Sequence, residues 1–227
     1  METANRPREA RPSARVMIVD DHELAREGLR SILAGEPGVE VVAEATTGRE
    51  ALALCRGTRP DLILMDIRMP ELDGLAATRM IKAEFPRVSV VMVTMHEEPD
   101  YLLDAIKAGA AGYVLKGSSR REILDAVRRV LRGEALLDAR LVTQLLQRLA
   151  SETDGSDAPP VQALTPRERE VLRLVADGLT NGEIARSLTV SVSTAKAHVE
   201  HIIGKLGVSD RTQAAVRAVQ LHLLGQP

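Results

Sequence analysis

The sequence predicts an α/β domain built on a parallel sheet, followed by a smaller all-α domain. Three observations carry that prediction. Short apolar runs rich in β-branched residues alternate with helix-like segments over residues 15–132. The stretch Ser151 to Pro160 is polar, contains Gly and two prolines, and has no periodicity, which marks a linker. Beyond it every segment has helical spacing and a capping residue of its own.

Residues 1–14 are polar and Arg/Pro-rich with no apolar core, so they read as a disordered tail and not as a secretory signal. Arg15 to Val19 is the first strand, stopped by Asp20-Asp21. Leu24, Leu29, Ile32 and Leu33 then recur at near-helical spacing up to Gly35. Four further strand–helix pairs follow: Val39 to Ala43 with Gly48 to Cys55, Asp61 to Met65 with Gly74 to Phe85, Val88 to Val93 with Asp100 to Lys107, and Ala111 to Leu115 with Arg120 to Arg132. Such units imply a parallel sheet with helices on both faces, and the unbroken apolar strands agree with burial on both sides.

Residues 133–160 are a linker that includes a helix at 138–150, with an apolar stripe of Leu141, Val142, Leu145, Leu146 and Leu149. The second domain, 161–227, holds four short helices. Thr165-Pro-Arg-Glu168 and Thr180-Asn-Gly-Glu183 are capping boxes, the first with proline at N1; Ser191 and Ser209 can cap the third and fourth helices.

Composition narrows the function classes. The chain has 227 residues, 44% of them hydrophobic and 27% charged, which excludes disorder. Aromatics are 1%, so stacking platforms for single-stranded nucleic acid are absent. The single cysteine, Cys55, cannot form an internal disulfide, and no Cys/His spacing suggests zinc. No apolar run approaches the ~20 residues of a membrane span, so the expected place is the cytoplasm. The net charge of -2 is uneven: from Val161 onward eight basic residues face six acidic ones, a weak pointer to DNA.

The chemistry gathers at the strand ends. Asp20 and Asp21 follow the first strand, Asp66 the third and Lys116 the fifth, while Thr94 follows the fourth run. In an open parallel sheet, ligand sites form at this carboxyl edge. Clustered carboxylates repel and call for a divalent cation or a protonation shift. An all-oxygen donor set favours Mg²⁺. A carboxylate beside such an ion can attack phosphorus and form an acyl phosphate. Lys116 would neutralise phosphoryl charge and the Thr94 hydroxyl could hydrogen-bond a phosphoryl oxygen. Seen alone, Asp20-Asp21 could equally be the cap of the first helix.

Val-Asp20-Asp21-His, Met-Asp66-Ile-Arg-Met-Pro70, Thr94-Met-His and Gly112-Tyr113-Val-Leu-Lys116 resemble the receiver domain of two-component response regulators. The resemblance implies a flavodoxin-like (βα)5 fold with strand order 2-1-3-4-5. It implies Asp66 as phosphoacceptor and Asp20, Asp21, Asp66 and the main-chain carbonyl of Arg68 as Mg²⁺ ligands. Thr94 and Tyr113 match the switch pair and Lys116 the phosphate-binding lysine. Arg68 and His96 match positions that tune dephosphorylation, whereas His22 reads as an ordinary loop residue.

In the second domain, Gly182 to Leu188, a tight connection at Thr189-Val190 and a helix from Ser191 make a helix-turn-helix arrangement. Val192, Ala195, Val199, Ile202, Ile203 and Leu206 should point inward, with Ser193, Lys196, Ala197 and Glu200 mainly opposite. Lys196 can reach a base edge or a phosphate, and Thr194, His198 and Lys205 are candidate phosphate contacts. Glu200 would repel phosphates but can accept from cytosine N4; equally, it reads as a solvated charge turned away from DNA. Leu164 to Leu172, Thr180 to Ala185 and Lys205 to Ala214 resemble the LuxR-type DNA-binding domain, so the whole chain looks like a NarL/FixJ-type response regulator.

That resemblance implies phosphoryl transfer from a sensor histidine kinase, dimerisation through the apolar last helix, and binding to double-stranded promoter DNA. RNA polymerase is a partner this architecture allows, and no membrane is involved. The chain would be no enzyme, beyond self-phosphorylation from small donors and autodephosphorylation. Two rivals stand beside this reading. A Mg²⁺-dependent phosphohydrolase of the haloacid-dehalogenase type would need an Asp where Arg68 stands. A regulator working without phosphorylation would keep the pocket without using it for output.

Overall fold

Burial on both faces of a parallel sheet explains most of the first domain. The computed structural model describes residues 13–95, 99–134, 136, 164–221 and 223. The helix expected at 138–150, the linker at Ser151 to Pro160, His96 and nearly all of the expected tail lie outside the described residues. The elements are β1 (Ala14–Val19), α1 (Glu23–Ala34), β2 (Val39–Ala45), α2 (Gly48–Thr58), β3 (Leu62–Met65), α3 (Gly74–Glu84), β4 (Ser89–Thr94), α4 (Pro99–Ala108), β5 (Gly112–Leu115) and α5 (Arg120–Leu131). Ala14, placed in the tail by the sequence reading, opens β1.

The five strands are parallel in the order β2-β1-β3-β4-β5. Strand periodicity divides the core in two. Met17, Val19, Ile63, Met65, Val90 and Met92 pack with Ala51, Cys55, Ala77 and Ile81 of α2 and α3. Their neighbours Val16, Ile18, Leu62, Leu64, Val91 and Val93 pack on the other face with Leu29, Leu33, Ile123 and Val127 of α1 and α5. Leu24 departs from the expected stripe and is exposed, in the first turn of α1. Cys55 is buried, and burial, helped by Glu84, pushes its thiol up to about 11, as befits an inert core thiol.

One glycine is dictated by space. Gly74 opens α3 behind the Asp73 cap, donating its N–H to the Ile67 carbonyl at 2.8 Å. A Cβ at that position would stand 1.9 Å from the Asp66 carbonyl oxygen. Only glycine lets α3 start this close to the end of β3.

The second domain contains α6 (Pro166–Ala176), α7 (Asn181–Ser187), α8 (Val192–Leu206) and α9 (Arg211–Gln220). Both expected capping boxes are present, at Thr165/Glu168 and Thr180/Glu183, and Ser191 caps α8. The cap of α9 is Asp210 instead of Ser209, because the aspartate carboxylate accepts from the Gln213 N–H at 3.0 Å. Glu168 does a second job: besides closing its box it accepts from Lys205 Nζ at 2.7 Å, tying α6 to the end of α8. The Lys205 hydrogen bond and those from Thr165 hold its carboxyl down to about 2.

Two outcomes follow from these contacts. Gly74→Ala should lose about 1–3 kcal/mol in denaturant unfolding, the scale of an overpacked site; an unchanged midpoint would mean α3 has room to shift. Glu168 contributes stability that is present above its ordinary pKa of 4.5 and is lost as pH falls towards about 2. Glu168→Gln, which keeps an acceptor for the cap, should therefore lower stability at neutral pH and flatten acid unfolding across that window. A variant with the same acid slope as the parent would remove Glu168 from that role.

Candidate functional site

Parallel strands end on the same side, so the residue after each strand is delivered to one edge. The ladder continues one step past the strands: Asp20 N–H donates to Ala45 at 3.1 Å, Asp66 N–H to Val19 at 2.8 Å and Lys116 N–H to Thr94 at 2.7 Å. These backbone bonds fix Asp20, Asp66, Thr94 and Lys116 along the edge. β1 and β3 are the neighbours at which the strand order reverses, where ligand crevices form in such sheets.

Asp20, Asp66 and Thr94 are buried, whereas Asp21 is exposed. Lys116 Nζ lies 2.6 Å from Asp20 Oδ2 and 3.1 Å from Asp66 Oδ2, bridging the two carboxylates. Burial lifts the Asp66 carboxyl above the ordinary aspartate value; Lys116 pulls it down and Asp20 adds to the rise. Burial works against the Lys116 charge, but its hydrogen bonds to the two carboxylates outweigh that and hold the ammonium above its ordinary value. One lysine therefore serves two buried carboxylates, leaving an excess of negative charge.

That imbalance suits a hard cation. Carboxylate oxygens of Asp20, Asp21 and Asp66 come within 4.8 Å of one another, together with a ring nitrogen of His22. Asp20 Oδ2, buried, meets the Lys116 ammonium at 2.6 Å and keeps lone-pair capacity beyond it. Three carboxylates with spare lone-pair capacity fit Mg²⁺. His22, which the sequence reading left as a loop residue, is drawn into the cluster: its Nδ1 lies 2.9 Å from Asp21 Oδ1 and its N–H donates to Asp20 Oδ1 at 3.0 Å. It is also the N-cap of α1, so the acidic pair is not that helix's cap.

The rim carries features that sequence reasoning missed. The Arg68 guanidinium donates to Tyr101 Oη at 2.9 Å, joining the loop after β3 to α4. Met95, exposed, directly follows Thr94 at the end of β4. Tyr113, half-buried on β5, packs against the sheet core and also against the core that α4 shares with the helical domain.

In that helical domain α7 and α8 are joined through Thr189, whose φ of 53° is left-handed, a conformation that a β-branched residue rarely adopts. On α8 Ala195, Val199, Ile202 and Leu206 are buried as expected. Val192, also expected inside, is 56% exposed; it is the first residue of α8. Thr194, Lys196, Ala197 and Glu200 are exposed, and His198 is half-buried. Lys196 and Glu200 form a 3.7 Å pair one turn apart. Thr194 is engaged with Ser191, and Lys205 with Glu168.

The apolar side of α9 is not free. Leu102, Leu103 and Ile106 of α4 join the hydrophobic core of the helical domain. Thr212 donates to the Ala111 carbonyl at 2.9 Å, and Gln213 to Ala110 at 2.7 Å and Ile106 at 3.3 Å. Lys82 of α3 reaches Ser209 while capping the Pro86 and Val88 carbonyls. The first domain thus docks on α9 and leaves the outer face of α8 exposed.

Comparison with known proteins agrees with both halves. Residues 16–128 match the response regulator receiver domain, and residues 162–218 match the bacterial regulatory proteins of the luxR family. The chain is 41% identical over 210 residues to the transcriptional regulatory protein LiaR of Bacillus subtilis, covering 92% of this chain and 99% of that one. It is 40% identical over 210 residues to the response regulator protein VraR of Staphylococcus aureus, covering 92% and 98%. A LuxR-family two-component response regulator from Aurantimonas superposes with a TM-score of 0.55 at 37% identity, over 60% of this chain and 97% of that structure. With a five-stranded receiver sheet and a LuxR-type helical domain on one chain, the protein belongs to the NarL/LuxR family of two-component response regulators.

Proposed function

We propose that the chain is a DNA-binding regulator gated by phosphorylation of Asp66, working as a receiver domain of residues 15–132 and a DNA-binding domain of residues 161–227. The observation that carries this reading is the bridge from Lys116 to buried Asp20 and Asp66 at the sheet's switch point. Asp20, Asp21, Asp66 and the main-chain carbonyl of Arg68 would hold Mg²⁺. When bound, the ion offsets the carboxylate charge and draws electron density from phosphoryl oxygens.

The Asp66 carboxylate attacks phosphorus of a phosphohistidine on the sensor kinase. A P–O bond forms, the P–N bond breaks, and the departing imidazole takes up a proton. Lys116 stays beside the phosphoryl oxygens as their counter-charge, and the Thr94 hydroxyl turns to donate to one of them. Exposed Met95, next to Thr94, gives the kinase an apolar contact at the rim.

Tyr113 links that event to the other domain, since it packs at once on the sheet core and on the core that α4 shares with the helical domain. Inward rotation of Tyr113 behind Thr94 withdraws part of the surface that receives α9. Release of α9 lets two copies pair through it, and each presents Thr194, Lys196, Ala197, His198, Glu200 and Lys205 to one half-site of promoter DNA. Freeing Lys205 for a phosphate requires exchanging its Glu168 partner. The relatives' regulator names support a role in transcription rather than turnover. Among the described residues no helix is long and apolar enough to cross a membrane, and a cytoplasmic place fits DNA as the target.

Two measurements check this reading. Asp66→Asn should abolish covalent labelling by a small phosphodonor in Mg²⁺ while leaving the fold intact by circular dichroism; retained label would move the acceptor elsewhere. Light scattering with Mg²⁺ should report a monomer that becomes a dimer on adding beryllofluoride. A mass that stays constant would separate the pocket from assembly.

A further inference from the structure

Two opposite charges stand together on the exposed side of α8. Lys196 and Glu200 lie one turn apart, both exposed, with Nζ 3.7 Å from Oε1. Glu200 is the single carboxylate of this helix, and its other lysine, Lys205, is engaged with Glu168 at 2.7 Å. Ala195, Val199, Ile202 and Leu206 are buried on the opposite side, so the pair is turned away from the domain core.

Stability does not account for the pair. Exposed ion pairs contribute little, and lysine placed N-terminal to glutamate is the weaker order on a helix. On a surface that meets DNA, a carboxylate is a burden: it repels phosphates, and it loses water in a groove unless a donor meets it. The major groove offers such donors at cytosine N4 and adenine N6. Guanine presents two acceptors, O6 and N7, which suit an ammonium. Within one G·C pair, cytosine N4 and guanine O6 are hydrogen-bonded to each other, about 2.9 Å apart. The two side-chain charges, 3.7 Å apart, come close to that spacing with the complementary polarity. An A·T edge is the poorer match on both sides. Adenine sets the N7 acceptor beside its amino group, which repels a carboxylate, and thymine presents one acceptor next to a methyl group.

We propose that Lys196 and Glu200 read one G·C pair as a unit, Lys196 donating to guanine O6 or N7 and Glu200 accepting from cytosine N4, and so fix that position of each half-site. The inference rests on the reading of this chain as a DNA-binding regulator and narrows its target.

The test is selection of duplexes from a pool of randomised DNA by the full chain in Mg²⁺ with beryllofluoride, followed by affinities from fluorescence anisotropy. Each half-site enriched by the parent should hold a fixed G·C pair, and replacing it with A·T should weaken binding about tenfold or more. Glu200→Ala and Lys196→Ala should both lose the preference at that same pair while keeping those at other positions, with circular dichroism confirming intact helices. Glu200→Gln should turn the preference towards A·T, because an amide pairs with adenine N6 and N7. If Glu200→Ala enriches the same duplexes as the parent and binds all of them more tightly, the readout is overturned and Glu200 is a solvated charge that repels phosphate. Preferences lost at two different pairs would overturn the shared base pair. Identical enrichment without beryllofluoride would count against gating through Asp66 and leave the readout standing; no enriched duplex under either condition would overturn both.

Discussion

Two buried carboxylates on adjacent strands, held by one lysine from a third, are the interaction on which the rest of this molecule depends. Asp20 and Asp66 sit where β1 and β3 end side by side, and Lys116 reaches both from β5. Removing such charges from water is costly unless they are paired. The pairing spans the sheet from its centre to its edge, so a change in charge at Asp66 is felt directly on β5. That strand carries Tyr113, the one aromatic that touches both hydrophobic cores. The electrostatics of the pocket and the packing of the domain junction are therefore two ends of one short strand.

The junction uses ordinary backbone chemistry. α4 ends near Ala108, and the last carbonyls of a helix lack intrahelical donors. Gln213 supplies a donor to Ile106 and to Ala110 just beyond, and Thr212 supplies one to Ala111. Small residues follow on α9 (Ala214, Ala215 and Ala218), which let the helix settle close to its neighbours. Burying Arg211 between Asn181 and Leu179 pulls its guanidinium down to about 10 and pins the start of the same helix inside its own domain.

Much of this was legible in the sequence, and for identifiable reasons. Strand ends announce themselves when a β-branched run stops at a charged residue, so Asp20, Asp66 and Lys116 could be placed at one edge before any coordinates. Capping boxes at Thr165 and Thr180 are local patterns with local causes. Leu24 and Val192 were misplaced because helical periodicity says which side a residue faces but not how far the neighbouring element extends. Gly74 gave no signal, since its requirement is the nearness of the Asp66 carbonyl, a contact set by tertiary packing. The docking of α9 on α4 was equally silent: an apolar helix face says that it will be covered, and the covering partner is decided by surfaces distant in sequence.

The covering of α9 from within the same chain changes the terms on which anything else can use that face. A tethered neighbour presents itself at an effective concentration in the millimolar range, whereas a second copy free in solution at micromolar levels is about a thousandfold more dilute. A competitor of equal intrinsic affinity would therefore lose by on the order of 4 kcal/mol. The hydrogen bonds from Thr212 and Gln213 thus set a threshold: any second occupant of this face has first to overcome the head start of the covering that the chain supplies itself.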